Sequence, residues 1–469
     1  MARCAVVLAA GLGTRMKSSK HKVLHEVAGK PMILHILDQL SQLHLQQTIV
    51  VVGQAREEVM SVVGNRAEFA IQDEQNGTGH ALQVATPLIQ PDIDTTLVLY
   101  GDAPLIQAQT MERLFQCQEQ RQAAAVVLTA SVVNPTGLGR ILKDAAGNIA
   151  AIVEEKDANP EQRKVREINT GIYAFATPRM RQSLALLKAD NAQGEYYLTD
   201  TIGILRRQQE LVLSCPVENE DEVASVNNRV QLAEVNRIFR RNLNRKWMLE
   251  GVTIVNPDST YIDADVTIGR DTIIYPETYL QGTTTIGEGC TLGPNLRVSS
   301  SRIDDGAQLE QSVVLESVIH RSATVGPFAY IRPGSEIGVG VKIGDFVEIK
   351  KSAIGDGTKV SHLAYVGDAE VGERVNVGCG AITVNYDGER KHRTVVGDDS
   401  FVGSNVNLIA PVTVGKGAYL CAGSTITDDV GDDGFAIGRG RQVTKPDYVK
   451  AWKQRAQVEK PNSLKHEGR

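Results

Sequence analysis

Aromatic side chains are scarce in this 469-residue chain, at 5% of the total with two tryptophans. Basic charge is not in excess either: 50 Lys and Arg stand against 56 Asp and Glu, for a net charge of -6. That balance excludes bulk nucleic-acid binding, which needs a basic face, and leaves room for local basic sites that take small phosphorylated molecules. The six cysteines, Cys4, Cys117, Cys215, Cys290, Cys379 and Cys421, never fall at Cys-x-x-Cys spacing. A disulfide framework and a zinc site are thereby disfavoured, and reduced thiols in a cytoplasmic protein are expected. Long apolar runs are missing as well: none approaches the roughly 18 residues that span a bilayer. The apolar run near the start, Ala5–Ala10, is too short for a signal peptide and is followed at once by Gly11 and Thr14-Arg15. It reads as a buried first strand.

What is present divides the chain by periodicity. At 42% hydrophobic residues and this length, two or three domains with real cores are expected. Residues 1–228 alternate short apolar runs (Ala5–Ala10, Thr48–Val52, Leu97–Tyr100, Ala124–Leu128) with segments of helical spacing such as Pro31–Leu43 and Thr78–Leu88. That alternation predicts an α/β domain with a mainly parallel sheet covered on both faces. Residues 229–250 place Leu232, Val235, Phe239, Leu243 and Trp247 on one helical face, which predicts a linker helix.

From residue 251 to 469 an all-β domain is expected. Ile262, Ile268, Ile274, Leu280, Ile286, Leu292 and Val298 recur every six residues. Further runs follow in new phases: Ile303 and Leu309; Val325 to Ile349; Ile354, Val360 and Val366; Val371 and Val377; and Val396 to Ile426. Glycine follows many of them, as in Ile286-Gly287 and Val402-Gly403. A hexapeptide period of this kind is the mark of a parallel β-helix, three hexapeptides to a coil. Asn385–Thr394 breaks the pattern and is expected to loop out, where function tends to sit. The stretch after about Lys445 has no repeat, and is expected to wrap a neighbouring subunit or to be partly disordered.

Several strings in the first half carry chemistry. Leu8-Ala9-Ala10-Gly11-Leu12-Gly13-Thr14-Arg15 follows the first strand, where a glycine-rich turn can bring backbone N–H groups to phosphates. Lys22-Val23-Leu24, Gln72, Gly77-Thr78-Gly79, Tyr100-Gly101-Asp102, Gly137-Leu138-Gly139-Arg140, Ile152-Val153-Glu154, Asn169-Thr170-Gly171, Thr199-Asp200 and Val226-Asn227-Asn228 come in order behind it. Together they resemble the nucleotidylyltransferases that act on sugar 1-phosphates, which fold as a Rossmann-like domain. His21 departs from the proline the family commonly has before its lysine. The resemblance implies that Leu8, Ala9, Ala10, Gly11, Gln72, Gly77, Thr78, Tyr100, Gly101, Thr199 and Asn227 bind substrate. It implies too that Gly139, Glu154 and Asn169 hold the sugar, and that Asp102 with Asn227 binds Mg²⁺. The segment around Gln72 and Gly77-Thr78 favours UTP over other nucleotides. Bringing two phosphate groups together needs cations, and Arg15 and Lys22 can neutralise charge on a leaving pyrophosphate.

The second half adds Ile331-Arg332-Pro333-Gly334, Phe346-Val347-Glu348-Ile349-Lys350, His362-Leu363-Ala364-Tyr365, Asn376-Val377-Gly378 and Asn385-Tyr386-Asp387-Gly388. With these, nearly the whole chain resembles the bifunctional glucosamine-1-phosphate acetyltransferase and N-acetylglucosamine-1-phosphate uridylyltransferase family. That resemblance implies a left-handed β-helix, a homotrimer, and substrates glucosamine 1-phosphate, acetyl-coenzyme A (acetyl-CoA), N-acetylglucosamine 1-phosphate and UTP. The product would feed peptidoglycan synthesis. An amine must be neutral to take an acetyl group, and a histidine near its ordinary pKa is a suitable base. His362 is the candidate, with Glu348 expected to orient it. By resemblance Arg332 and Lys350 bind the sugar phosphate, Tyr365 and Asn376 position the sugar, and Cys379, Asn385, Tyr386, Ser404, Ala422 and Arg439 surround acetyl-CoA. The alternative reading is a single-function nucleotidylyltransferase whose β-helix serves only as an oligomerisation scaffold.

Overall fold

The fold is seen in a computed structural model that describes residues 1–145, 147–191 and 193–458. The chain divides into two compact units, Met1–Gly306 and Ala307 onward. In the first unit, Val6, Val7 and Leu8 stand between Thr95–Tyr100 and Gln47–Val52, parallel to both. The sheet runs Val212–Pro216, Ala125–Ser131, Glu167–Ala176, Thr95–Tyr100, Arg3–Leu8, Gln47–Val52, Glu68–Ile71. Only Glu167–Ala176 runs against its neighbours along this path. Strands buried on both faces must be apolar throughout, and the side chains divide by parity. Cys4, Val6 and Leu8 join one core, while Ala5, Val7 and Ala9 join the other.

The helix Arg229–Leu249 is capped by the Asn228 side chain, which accepts from the Gln231 N–H at 2.9 Å. This helix buries Val235, Ile238 and Trp247. It and the first coils belong to the first unit because bonds tie them to the sheet domain: Asn236 Oδ1 accepts from the Ala28 N–H at 2.9 Å, and Lys30 meets Asp265 at 2.5 Å.

The hexapeptide reading is borne out by burial. Every periodic position named above is buried except Ile268, which is half-buried. Within the second unit the strands pair with their successors one coil on, always in parallel: Ile331 with Ile349, Ile349 with Val366, Val377 with Val402. This is a parallel β-helix. Ala353 pairs with Glu370, but Ala369 pairs with Thr394, a longer step that makes room for the loop. The loop leaves the coil after Asn385, closes through an antiparallel Tyr386–Lys391 bridge, and returns at the buried Thr394. The helix Tyr448–Val458 buries none of its residues. Residues 459–469, part of the expected tail, lie outside the described residues.

Candidate functional sites

In the first unit, loops at the carboxyl ends of the sheet strands enclose a cavity of about 450 Å³. Leu8, Ala9, Ala10, Gly11, Lys22, Gln72, Gly77, Thr78, Tyr100, Asp102, Gly139, Glu154, Asn169 and Asn227 all line it. This is where open α/β sheets bind ligands. Two glycines make the close approaches possible. Gly13 has a left-handed φ of 62°, and a Cβ there would sit 2.5 Å from that of Lys22. Gly171, at φ 80°, passes the Tyr100 ring so closely that a Cβ would overlap it.

The cations and the oxygens converge at one end. The Asp102 carbonyl accepts from the Val226 N–H at 2.9 Å, which docks the Asn227 segment against the strand end. Lys22 Nζ pairs with Asp102 Oδ2 and reaches Asn227 Oδ1 at 3.3 Å. Arg15 donates to the same Asn227 oxygen at 2.9 Å. Arg15 thus stands beside the cavity through Asn227 rather than in its wall. His21 buries its ring, and its Nδ1 accepts from the Val23 N–H at 3.4 Å. Its φ of -58° is the value proline would impose, so the departure from the family leaves the turn around Lys22 intact. Arg229 ties this turn down by donating to the Met16 carbonyl at 3.3 Å, with a second contact to His25 Nδ1 at 3.2 Å.

The other end is polar and uncharged apart from two carboxylates. The Thr199 hydroxyl, set behind the cavity wall, donates to Glu154 at 3.3 Å, and burial pushes the Glu154 carboxyl above its ordinary range. Asn169 donates to the Tyr173 hydroxyl at 2.7 Å and accepts from the Gly171 N–H at 3.1 Å. Gly101 supports the floor, close to Val23 and Ala9. Lining residues with no role assigned from the sequence include Gln75, which donates to the Ala10 carbonyl at 2.7 Å, Glu195 and Ser225. Gln75 lies between the motif residues Gln72 and Gly77, and Glu195 four residues before Thr199; Ser225 carried no signal beyond its place before Val226-Asn227.

In the second unit the predicted residues form a strip. Asp345 pairs with His362 across adjacent coils. The Gly380 N–H bonds to the Leu363 carbonyl, Asn405 to Cys379, and Gly423 to Ser404. His362, Cys379, Ser404 and Ala422 therefore follow one another up successive coils, and Arg439 Nη1 closes the top on the Ala422 carbonyl at 2.9 Å. His362, Cys379, Ser404, Ala422, Tyr386 and Arg439 are all exposed, with the His362 side chain at 61%.

The partner of His362 differs from the expected one. His362 Nδ1 meets Asp345 Oδ1 at 2.6 Å, and that contact holds the Asp345 carboxyl below its usual range. Glu348 instead accepts from Arg332 Nη1 at 2.8 Å. Register is the reason: Glu348 lies opposite Tyr365, three residues past the pair that faces His362. Beside this, the nearly buried Lys350 reaches Asp368 Oδ2 at 3.0 Å, and Asn385 Nδ2 bonds the same carboxylate and the Tyr365 hydroxyl. Burial would raise the Asp368 carboxyl, but Lys350 and Asn385 outweigh it and hold it low. Lys391, from the extruded loop, comes up against Lys350, and that contact lowers its pKa. Three cations thus gather here, with Asn376 half-buried on a neighbouring coil. Asp345, Asp368 and Lys391 were missed in the sequence; Asp345 stands one coil-length before His362, a signal that coil counting carries.

Residues 5–196 match the family model described as a MobA-like NTP transferase domain. Residues 315–430 match the one described as the GMPPB C-terminal domain. Proteins named "Bifunctional protein GlmU" match nearly end to end. The one from Geobacillus sp. (strain WCH70) is 52% identical over 447 residues, covering 95% of this chain and 97% of that protein. The chain belongs to the bifunctional GlmU family. The Brevibacillus brevis GlmU is 50% identical over 445 residues, 95% of this chain and 96% of its own, and the Heliobacterium modesticaldum GlmU 51% identical over 447 residues, 95% and 98%. A crystal structure described as a putative glucose-1-phosphate thymidylyltransferase from Bacillus anthracis aligns at a TM-score of 0.42 and 23% identity over 50% of this chain and 95% of that one. Among the described residues no helix is long and apolar enough to cross a membrane.

Proposed function

We propose that this GlmU-family enzyme makes UDP-N-acetylglucosamine in two steps, at the two sites described. At the strip, the neutral amine of glucosamine 1-phosphate attacks the thioester carbonyl of acetyl-CoA. His362 takes the proton from that amine, and the coenzyme A thiolate leaves. Asp345 sets the ring tautomer and supports the imidazolium as it forms. Arg332, Lys350 and Lys391 receive the sugar phosphate, and Tyr365 and Asn376 position the sugar. Cys379, Asn385, Tyr386, Ser404, Ala422 and Arg439 flank the acetyl donor.

At the cavity, a phosphate oxygen of N-acetylglucosamine 1-phosphate attacks the α-phosphorus of UTP, and pyrophosphate leaves. Gln72, Gly77 and Thr78 seat the nucleotide; Gly139, Glu154 and Asn169 hold the sugar. Arg15 and Lys22 offset the charge that builds on the leaving pyrophosphate. Asp102 and Asn227 offer one carboxylate and one amide oxygen, and among the described residues no group of three His, Cys, Asp or Glu could hold a metal alone. That donor set fits Mg²⁺, which takes one or two protein oxygens plus substrate phosphates. When bound there it supplies charge neutralisation to the phosphates.

A homotrimer with left-handed coils is part of the same reading. Phe328, Phe346 and Leu363 stand exposed at 54%, 57% and 59%. The two phenylalanines stack at 5.3 Å, and Leu363 follows Phe346 one coil on. An apolar seam of this kind, beside His362, suits a second copy.

The carrying observation is identity of about 50% across 95% of the chain, joined to two separate constellations. A scaffold role for the β-helix leaves His362 on Asp345 and the cation cluster without purpose. The test is to supply glucosamine 1-phosphate, acetyl-CoA, UTP and Mg²⁺, and follow free thiol and pyrophosphate separately. Both are expected, with pyrophosphate depending on acetylation. Pyrophosphate from supplied N-acetylglucosamine 1-phosphate, with no thiol released, would reduce the second unit to a scaffold.

A further inference from the structure

Arg140 is 1% exposed and is the largest fully buried side chain among the described residues. A guanidinium in an apolar interior is costly unless it is paired and hydrogen-bonded. A valine or isoleucine would fill an inward position of the hairpin 140–143/149–153 without that cost. What the arginine adds is a grip on the loop before it. Nη2 meets Glu155 Oε2 at 2.5 Å, and Nη1 donates to the Leu138 carbonyl. Glu155 Oε2 also accepts from the Gly137 N–H at 3.3 Å. The Asn169 N–H then bonds the Gly139 carbonyl at 2.9 Å. The ion pair thus holds Gly137 and Leu138, Asn169 holds Gly139, and all three loop residues line the cavity.

Two neighbouring carboxylates divide the work. Glu154 turns into the cavity, where burial raises its pKa, and a Cβ at Gly139 would stand 3.4 Å from its oxygen. Glu155 turns away and is held below its ordinary range by the Arg140 hydrogen bond.

We infer that Arg140 and Glu155 are a positioning pair: they fix Gly137–Gly139 against Asn169 and so set the affinity of the cavity for the sugar 1-phosphate. Neither side chain lines the cavity. The inference rests on the reading of Gly139, Glu154 and Asn169 as the sugar-binding residues.

Because a lone buried charge can unfold a protein, two variants are needed. Glu155→Gln removes the charge but keeps an acceptor. The double variant Arg140→Met with Glu155→Met replaces the pair by apolar side chains, a change that often restores stability, but it leaves the Leu138 carbonyl and Gly137 N–H untethered. Steady-state uridylyl transfer is measured in the full chain, with Glu154→Gln as the control for the sugar site and acetyl transfer as the control for folding. The expected result is a KM for N-acetylglucosamine 1-phosphate raised at least tenfold in both Glu155 variants, a KM for UTP within twofold of the parent, and unchanged acetyl transfer. The double variant is expected to melt like the parent and still show the raised sugar KM. A parental sugar KM in the double variant, with Glu154→Gln impaired, would reduce the pair to a structural element. A parental sugar KM in Glu154→Gln would remove the sugar-site reading, and the inference with it.

Discussion

The two sites differ in how much of themselves a single chain provides. The cavity of the first unit is walled by loops from many strands. Its two cations already have partners, Lys22 on the Asp102 carboxylate and Arg15 on the Asn227 amide oxygen. The strip of the second unit is one wall: His362, Cys379, Ser404 and Ala422 climb the coils in the open, all of them exposed. A doubly wound sheet brings distant segments together at its strand ends, so it builds a concave site by itself. A solenoid repeats one surface and builds a line. A reaction that must exclude water can be enclosed in the first case, but needs a second surface in the second.

Removing one reacting group at a time separates the two sites most strongly. Asp102→Ala is expected to lower uridylyl transfer by roughly a thousandfold with acetyl transfer unchanged, and His362→Ala the reverse, as loss of a metal-holding group or a general base implies. Each half-reaction is measured separately on its own substrates. Next in size is Asp345→Asn, for which acetyl-transfer kcat should fall by about a hundredfold as the ring loses its partner. Glu348→Gln should act mainly on the KM for glucosamine 1-phosphate, through Arg332. Equal kcat losses in the two variants would return Glu348 to the orienting role.

The open wall predicts a dependence on neighbours. Phe346→Glu should lower the oligomer mass in light scattering and reduce acetyl transfer at least tenfold, leaving uridylyl transfer at the parental rate. An unchanged mass with full acetylation would detach the apolar seam from the site. Lys391→Ala should raise the glucosamine 1-phosphate KM about tenfold, as expected for loss of one charge-assisted contact.

The smallest effect concerns stability. Burial lowers the pKa of His21, His25 and His35 in the folded first unit. As pH falls below about 6.5 the unfolded chain binds protons that the folded chain refuses, so stability falls with pH there. The melting temperature of the first unit should drop by a few degrees from pH 7 to pH 5, and His35→Gln should flatten the slope.

Much of this was legible in the sequence because repetition and punctuation carry it. Hexapeptide spacing marked the inward residues of the coils, with Ile268 alone short of full burial. The glycine-rich turn and the strand-end Asp102 marked the cavity. What escaped was cross-coil register. Glu348 is nearer in sequence to His362 than Asp345 is, but coils bring together residues one turn apart, and 345 is the residue one turn away. Lys391 sits in a loop whose fold-back onto Lys350 no period predicts. Arg140 was visible only as the last letter of a glycine motif, since burial of a charged side chain leaves no mark in a hydrophobic pattern.

If one chain carries two independent catalytic sites, variants crippled at different sites must complement each other. Purified His362→Ala and Asp102→Ala variants are each supplied with glucosamine 1-phosphate, acetyl-CoA, UTP and Mg²⁺, and then mixed. Neither alone should form UDP-N-acetylglucosamine, and the mixture should, because the acetylated sugar phosphate released by one is the substrate of the other. Loss of both half-reactions in either folded variant, or a mixture that stays silent, would contradict the account.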